Sequence, residues 1–450
     1  MWLLVAGGLA WLVPVALTLL AAAGLPDGEA RQVALTLPTA IALAVVGYMA
    51  TGFAFHYGGI GLIVDHPDLA ALVWEWSAIA ADWGVTWGMA GMAGFGLQGV
   101  QTPLALLLLA NSLPWVTTAT LLPMVALRGR LPAVVVALLG LGMAAAGYPL
   151  IGNWVQGGGW LAYLGFNIGA GHGFADFGGA WLFWLAGVVA LAGTLTLGER
   201  LPQATGPAPL PPVHLPLLAV SGAGLLLVGG MGWLLAWPLA DWATLPPLRV
   251  VVNGTVAAAG GALLPLFYTW FVAGRPDPLL GARGIAAGWV AALAGAPFLT
   301  PPAMLLVGGV AGLLMLLTTY LLERAWRLYD RGGVGTTFAI PALVGILAVG
   351  LLADGTAGVG YNGIGAETYL GVSGEGVAGL WPAAGFAPDW PGQFLAQGIA
   401  VVVLFLLAFL ATVAVTGPLT LIARRWKSSR PLSAAQIPQA TEEERTTGST

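Results

Sequence analysis

Asp176 stands at the head of a run, Phe177 to Gly198, that contains no charged residue. Two chemistries suit a carboxylate in that setting. It can accept hydrogen bonds from the unpaired N–H groups that open a helix. It can also stand at the mouth of a pathway through a membrane, because ionisable groups at membrane depth are costly and tend to be kept for function. On a helix Asp176, Ala180 and Trp184 follow at i, i+4 and i+8, roughly one face, which would link such a mouth to deeper positions. The rest of the chain offers little reactive chemistry. The four histidines, His56, His66, His172 and His214, are scattered without an HxxxH spacing, and there is no cysteine. No paired carboxylates, nucleophile–base set or phosphate-binding glycine loop lies inside the apolar runs. Neither an enzyme nor a metal site is expected, and no cofactor is implied.

The elements that must position Asp176 are membrane spans. The chain has 450 residues, 58% hydrophobic and 8% charged, with mean hydropathy +0.88. A soluble domain carries about 25% charged residues, so the fold class is an all-α polytopic membrane protein and nucleic-acid binding is excluded. Eleven apolar segments are long enough to cross a bilayer: roughly 2–24, 34–55, 99–126, 131–152, 177–198, 214–239, 248–273, 279–297, 302–322, 336–353 and 394–423. The first lacks a basic leader and reads as an uncleaved span. The basic residues test this count. Arg31, Arg128, Arg130, Arg200, Arg275, Arg283, Arg324, Arg327, Arg331, Arg424, Arg425, Lys427, Arg430 and Arg445 fall on one side, and Arg249 alone on the other. The basic side is cytoplasmic by the positive-inside rule, which puts the N-terminus outside a cell membrane and the C-terminus inside. Asp65, Asp68, Glu75, Asp82, Asp241, Asp354, Glu367, Glu375 and Asp389 fall outside.

Two long outer connections, 56–93 and 355–392, carry Trp74, Trp76, Trp83, Trp87, Trp381 and Trp390. Interfacial anchoring is the expected role of these rings, and the alternative is a vestibule whose acidic residues concentrate cations. Glycines such as Gly254, Gly260 and Gly261 read as close helix packing, and Pro114 and Pro123 predict kinks in the third span. The chain divides into a membrane domain, 1–427, and a polar tail, 428–450, too hydrophilic to bury a core alone.

His172-Gly173-Phe174-Ala175-Asp176-Phe177-Gly178-Gly179, with Gly187 and the closing Gly198-Glu199-Arg200, resembles the fifth span of the ammonium transporter (Amt/Rhesus) family, which runs HGxxDFAGG, a histidine and GKR. Further stretches resemble the family in order. They are Ala126-Leu127-Arg128-Gly129-Arg130 near the third span, Tyr148-Pro149 with Gly157-Gly158-Gly159, and His214-Leu215-Pro216 opening the sixth. Pro278-Leu279-Leu280-Gly281-Ala282 and Val307-Gly308-Gly309-Val310-Ala311-Gly312 come next, in the eighth and ninth. The resemblance implies two inverted five-span halves plus a long C-terminal helix, and a homotrimer with one pore per subunit. Glu442-Glu443-Glu444-Arg445 faintly resembles the family's EEEREG segment, which implies a cytoplasmic regulatory partner of the PII class.

The same resemblance assigns the substrate pathway position by position. Leu113 falls where the family has its first gate phenylalanine, so that ring is expected to be lost. Gln156 falls at the family's recruiting tryptophan, with Trp154 two residues earlier as a substitute. Trp233 matches the second gate phenylalanine, Trp237 the recruiting serine, and Asn253 an asparagine of the seventh span. Both pore histidines are absent: the first aligns near Trp184 and the second near Pro341. No other histidine is expected inside a span, so nothing titratable replaces them. The implied function is an ammonium/ammonia channel with a more hydrophobic pore and no twin-histidine proton relay. Three routes stay open: passage of neutral ammonia, a rearranged polar path through Asn111, Thr117, Thr118 or Asn253, or a closed pore. The alternatives are a non-conducting ammonium sensor or regulatory protein, and a channel for another small neutral gas such as carbon dioxide.

Overall fold

The computed structural model describes residues 1–25, 27–79, 87–164, 173–197, 214–363 and 375–428. His172, Glu199, Arg200, Asp82, Trp83, Glu367 and the tail from 429 lie outside the described residues. Among the described residues eleven helices are long and apolar enough to cross a membrane: Trp2–Ala23, Gly28–Leu62, Pro103–Leu127, Ala133–Val155, Ala180–Leu197, His214–Leu235, Pro247–Val272, Pro278–Gly295, Pro301–Ala325, Arg331–Leu352 and Gly392–Thr420. Each matches one apolar segment of the sequence. Backbone groups in hydrocarbon must be satisfied within the segment, which leaves helix as the only local solution for such runs. The third span continues through Pro114 and Pro123 as one helix. Thr118 Oγ1 donates to the Pro114 carbonyl at 2.9 Å, a back-bond to the preceding turn that serthreonyl side chains make inside helices.

The packing partners repeat after five spans. The second span packs on the third and fourth, as the seventh packs on the eighth and ninth; the third meets the fifth, as the eighth meets the tenth. The first span lies along the sixth, and the eleventh covers the fifth and tenth. Five is odd, so the second repeat enters the bilayer from the opposite side, and the two halves are inverted.

Polar side chains staple the acidic ends of the spans. Arg249 donates through Nε to the Leu299 carbonyl at 2.8 Å, through Nη1 to Thr356 at 2.8 Å, and pairs with Asp354. This accounts for the single basic residue on the acidic side: its charge is held within the protein. Asn253, fully buried, donates to the carbonyls of Ala296 and Leu299, both at 2.7 Å. In the connection after the second span a short antiparallel hairpin pairs Glu75–Ser77 with Gly88–Gly91. Trp74 and Trp76 beside it are 62% and 53% exposed, as rings at a membrane interface require.

One boundary needs correction. The second span runs to Leu62, not to 55, so His56 lies inside a span and is fully buried. Its Nδ1 is 2.8 Å from the Tyr48 hydroxyl, and its ring stacks on Tyr57 at 3.8 Å. The apolar run breaks at His56-Tyr57, but the Tyr48 hydroxyl supplies a partner that lets the imidazole stay in the core.

Candidate permeation pathway

The stretch before the fifth span is the hub of the site. Asp176 is fully buried. Its Oδ1 accepts from the Gly179 and Ala180 N–H groups at 2.8 and 2.9 Å, and its Oδ2 from Trp181 N–H at 2.6 Å. Both oxygens are thus committed to the opening turn of the fifth span, the capping geometry. Phe177 N–H and Gly178 N–H donate to the carbonyls of Ala294 and Leu293 at the end of the eighth span, at 3.2 and 2.8 Å. The Gly178 carbonyl accepts from Trp233 Nε1–H at 2.9 Å. Gln397 of the eleventh span bonds both backbone groups of Ala175, at 2.9 and 2.8 Å. Gly179 has φ +79°, and a Cβ there would sit 2.3 Å from Cζ3 of Trp115, so no side chain fits. The Asp-Phe-Gly-Gly order is therefore dictated by a cap, a backbone clasp to the opposite half and an indole laid against bare backbone.

Outside this hub lies a vestibule of about 230 Å³, lined among others by Tyr163, Asp241, Tyr361 and Asn362. Beneath it is a chamber of about 10 Å³, walled by Tyr57, Asn111, Ser112, Trp115 and Tyr148. That is room for a single water-sized molecule. Gln156 and Trp237 border both spaces. The Nε2 of Gln156 and the Nε1 of Trp237 are buried without a protein partner. Buried donors of this kind call for a guest that accepts.

An aromatic plug closes the chamber's inner side. Trp115 and Trp233 stack with centroids 4.7 Å apart and planes 4° from parallel. Phe183 lies 6.0 Å from Trp233, 5.8 Å from Trp289 and 6.0 Å from Phe338. These five rings fill the level at which the two inverted halves meet.

Several expected positions shift by a helical turn or face. Leu113 is only half-buried, and Trp115, two residues on, is the ring that stacks on Trp233. Trp184 does not face the passage. Its Nε1–H donates to the Val401 carbonyl at 3.1 Å and its ring stacks on Phe405 of the eleventh span at 6.1 Å, and Phe183 holds the inward face instead. On the tenth span the inward ring is Phe338, not Pro341. A π-helical turn over Gly335–Ala339 precedes Pro341. Such a turn adds a residue and rotates the next part of the helix by about 100°. Trp154 lines neither chamber; its Nε1–H donates to the Met89 carbonyl at 2.8 Å and its ring borders an apolar groove facing the eleventh span. Asn253 is a staple away from both chambers. Of the expected polar path, Asn111 walls the chamber, and Thr118 is satisfied by its own helix.

Around Tyr57 and Tyr148, which wall the chamber, lie residues that sequence reasoning did not assign to the site. Tyr48, His56, Tyr57 and Tyr148 form a contiguous aromatic cluster. A Cβ on Gly152 would stand 2.6 Å from His56 Nε2, so the imidazole packs against bare backbone of the fourth span, its Nε2 buried without a hydrogen-bond partner. Asn153 donates to the His56 carbonyl at 3.3 Å and to Glu75 Oε1 at 3.0 Å. Burial pushes the Glu75 carboxyl up to about 7, against the opposing effect of the Asn153 hydrogen bond. A raised acid favours its protonated form in the fold. Its contribution to stability is therefore complete below the unfolded value, about 4.5, and lost as pH rises through about 7. Glu75→Gln should flatten the dependence of melting temperature on pH across that window and leave the protein more stable than wild type at pH 8. A variant that loses as much stability at pH 8 as at pH 5 would contradict the assignment.

Comparison with known proteins adds an independent line. The sequence profile described as the Ammonium Transporter Family matches residues 1–433. The chain is 33% identical over 230 residues to the ammonium transporter Amt2 of Archaeoglobus fulgidus, covering 48% of this chain and 47% of that protein. It therefore aligns with about half of that relative's length. It is 28% identical over 355 residues to an ammonium transporter of Aquifex aeolicus, covering 72% and 78%. Among solved structures, a protein titled Sensor Amt Protein superposes with TM-score 0.69 at 18% identity, covering 97% of each chain. Mep2 of Candida albicans superposes with TM-score 0.71 at 19% identity, covering 94% of this chain and 83% of that one. At these identities the two structures speak to the fold.

Proposed function

The chain belongs to the ammonium transporter family, and from that premise we propose a multi-pass cell-membrane channel that passes ammonia as a neutral molecule, without a twin-histidine proton relay. The observation that carries this reading is the water-sized chamber bordered by the unpartnered indole N–H of Trp237 and floored by Trp115. An indole N–H is a donor only. Ammonia offers it a lone pair; ammonium does not. The same N–H suits ammonia better than the weakly accepting oxygens of carbon dioxide. Beyond the chamber, carrying a bare cation past five apolar rings costs several kcal/mol or more, because nothing there replaces its hydration. Ammonium would shed its proton in the vestibule, where water can take it.

The test is the rate of internal alkalinisation in proteoliposomes mixed with an ammonium chloride gradient. The expected rate exceeds that of empty liposomes several-fold. Equal rates would sink transport. They would favour the second reading, a non-conducting ammonium sensor or regulatory protein, which the tight Trp115–Trp233 stack supports. The proposal extends to the setting: a homotrimer with the N-terminus outside, and a cytoplasmic tail that meets a PII-class regulator. The segregation of Arg and Lys to one side supports the orientation.

A further inference from the structure

On the side of the ring plug away from Asp176, the bundle holds a buried cation. Arg283 stands on the eighth span about 9 Å of helix before Trp289, and only 8% of it is exposed. Its guanidinium fills the space between the first, eighth and tenth spans. A Cβ on Gly24, just past the first span, would collide with its Nη2, and one on Gly333 of the tenth span would lie 3.0 Å from its Cζ. Gly333 has φ +67°, so the seat of the guanidinium is cut in bare backbone. The same Gly333 Cβ would lie 2.9 Å from Thr337 Oγ1, and Thr337 directly precedes Phe338 of the plug. Arg283 therefore adjoins the turn that carries the ring.

This charge is not compensated as its neighbours are. Arg331 pairs with Glu29 at 3.3 Å. The Asp330 carboxylate is engaged by the N–H groups of Gly335 and Thr336 and by the Thr336 hydroxyl, at 2.8–3.0 Å. Glu323 lies within electrostatic range of Arg283. Yet among the described residues Arg283 enters no salt bridge, and its Nε and the Thr337 Oγ1 are buried without a hydrogen-bond partner. An uncompensated buried charge is costly, and within a span it tends to be kept for function. Like charges repel far more strongly in a low-dielectric interior than in water. A fixed cation beside the passage therefore raises the cost of ammonium and leaves ammonia unaffected. We propose that Arg283 is the cation filter of the passage and keeps ammonium out even when the rings part; this rests on the reading of the chain as an ammonia channel.

The test uses the full chain carrying Trp115→Leu, which loosens the plug. Ammonium-evoked current on a solid-supported membrane is recorded beside alkalinisation of the same proteoliposomes. With Arg283 in place this background should alkalinise without current. Adding Arg283→Met should bring a current several-fold above that of empty liposomes. Methionine removes an uncompensated buried charge, an exchange that is often neutral or stabilising, so the fold is kept. Thr337→Asp retains the arginine but sets a carboxylate beside it, and it should bring a current as well. Arg283→Lys keeps the charge and should stay without current. No current with either Arg283→Met or Thr337→Asp, while alkalinisation persists, overturns the filter and leaves the ammonia channel standing. A current with Arg283→Lys, or one already present in the Trp115→Leu background, overturns the filter too. No alkalinisation in wild type sinks the channel reading and the filter with it.

Discussion

Trp115→Leu is expected to raise ammonia flux about tenfold, without creating any ammonium current. The reason is the stack on Trp233, which floors the water-sized chamber. Passage requires the two indoles to part. Parting a stacked pair forfeits about 0.5–1.5 kcal/mol beyond the loss of buried area, and about 1.4 kcal/mol is a factor of ten in population. The passable state is then a minor one, and throughput scales with its population. Leucine keeps the position apolar but removes the face on which Trp233 rests. The check is stopped-flow alkalinisation at matched protein density. An unchanged or lower flux, in a variant that melts like wild type, would show that this pair is not the barrier.

Asp176→Ala is expected to yield little folded protein. Three buried N–H groups lose acceptors that now lie at 2.6–2.9 Å. A hydrogen bond to a charged group contributes about 1.5–3 kcal/mol. The summed loss is therefore on the order of 5 kcal/mol, which is comparable with the whole stability of many proteins. Asp176→Asn keeps one carbonyl oxygen for Gly179 and Ala180 but turns an amide toward Trp181 N–H, so it should fall between. Thermal melting in detergent with size-exclusion profiles measures both. An alanine variant that melts within about 2 °C of wild type would remove Asp176 as the anchor of the fifth span.

The spans and the cap were legible because their signals are local. An apolar run of bilayer length has no alternative to helix, and Asp-Phe-Gly-Gly places a carboxylate just ahead of a helix that needs one. The plug was not legible at residue resolution, because facing depends on helical phase. Leu113 and Trp115 lie two residues apart, about 200° around the helix, so a small slip in alignment exchanges inside for outside. Phe183 and Trp184 differ by about 100°. In the tenth span the π-helical turn before Pro341 rotates the face without any mark in composition. His56 was hidden differently: a polar residue ends an apolar run, and only the fold brings Tyr48 to meet it. Gln397 reaches Ala175 across the molecule, a contact with no local signature at all.

In the proposed channel the substrate passes uncharged, because among the described residues the rings of Trp115, Trp233, Trp289, Phe183 and Phe338 fill the level where the halves meet. The most direct measurement is ammonium-evoked current on a solid-supported membrane, recorded beside alkalinisation of the same proteoliposomes. Uncharged passage predicts protein-dependent alkalinisation with no current above that of empty liposomes. A current that grows with protein density would contradict it.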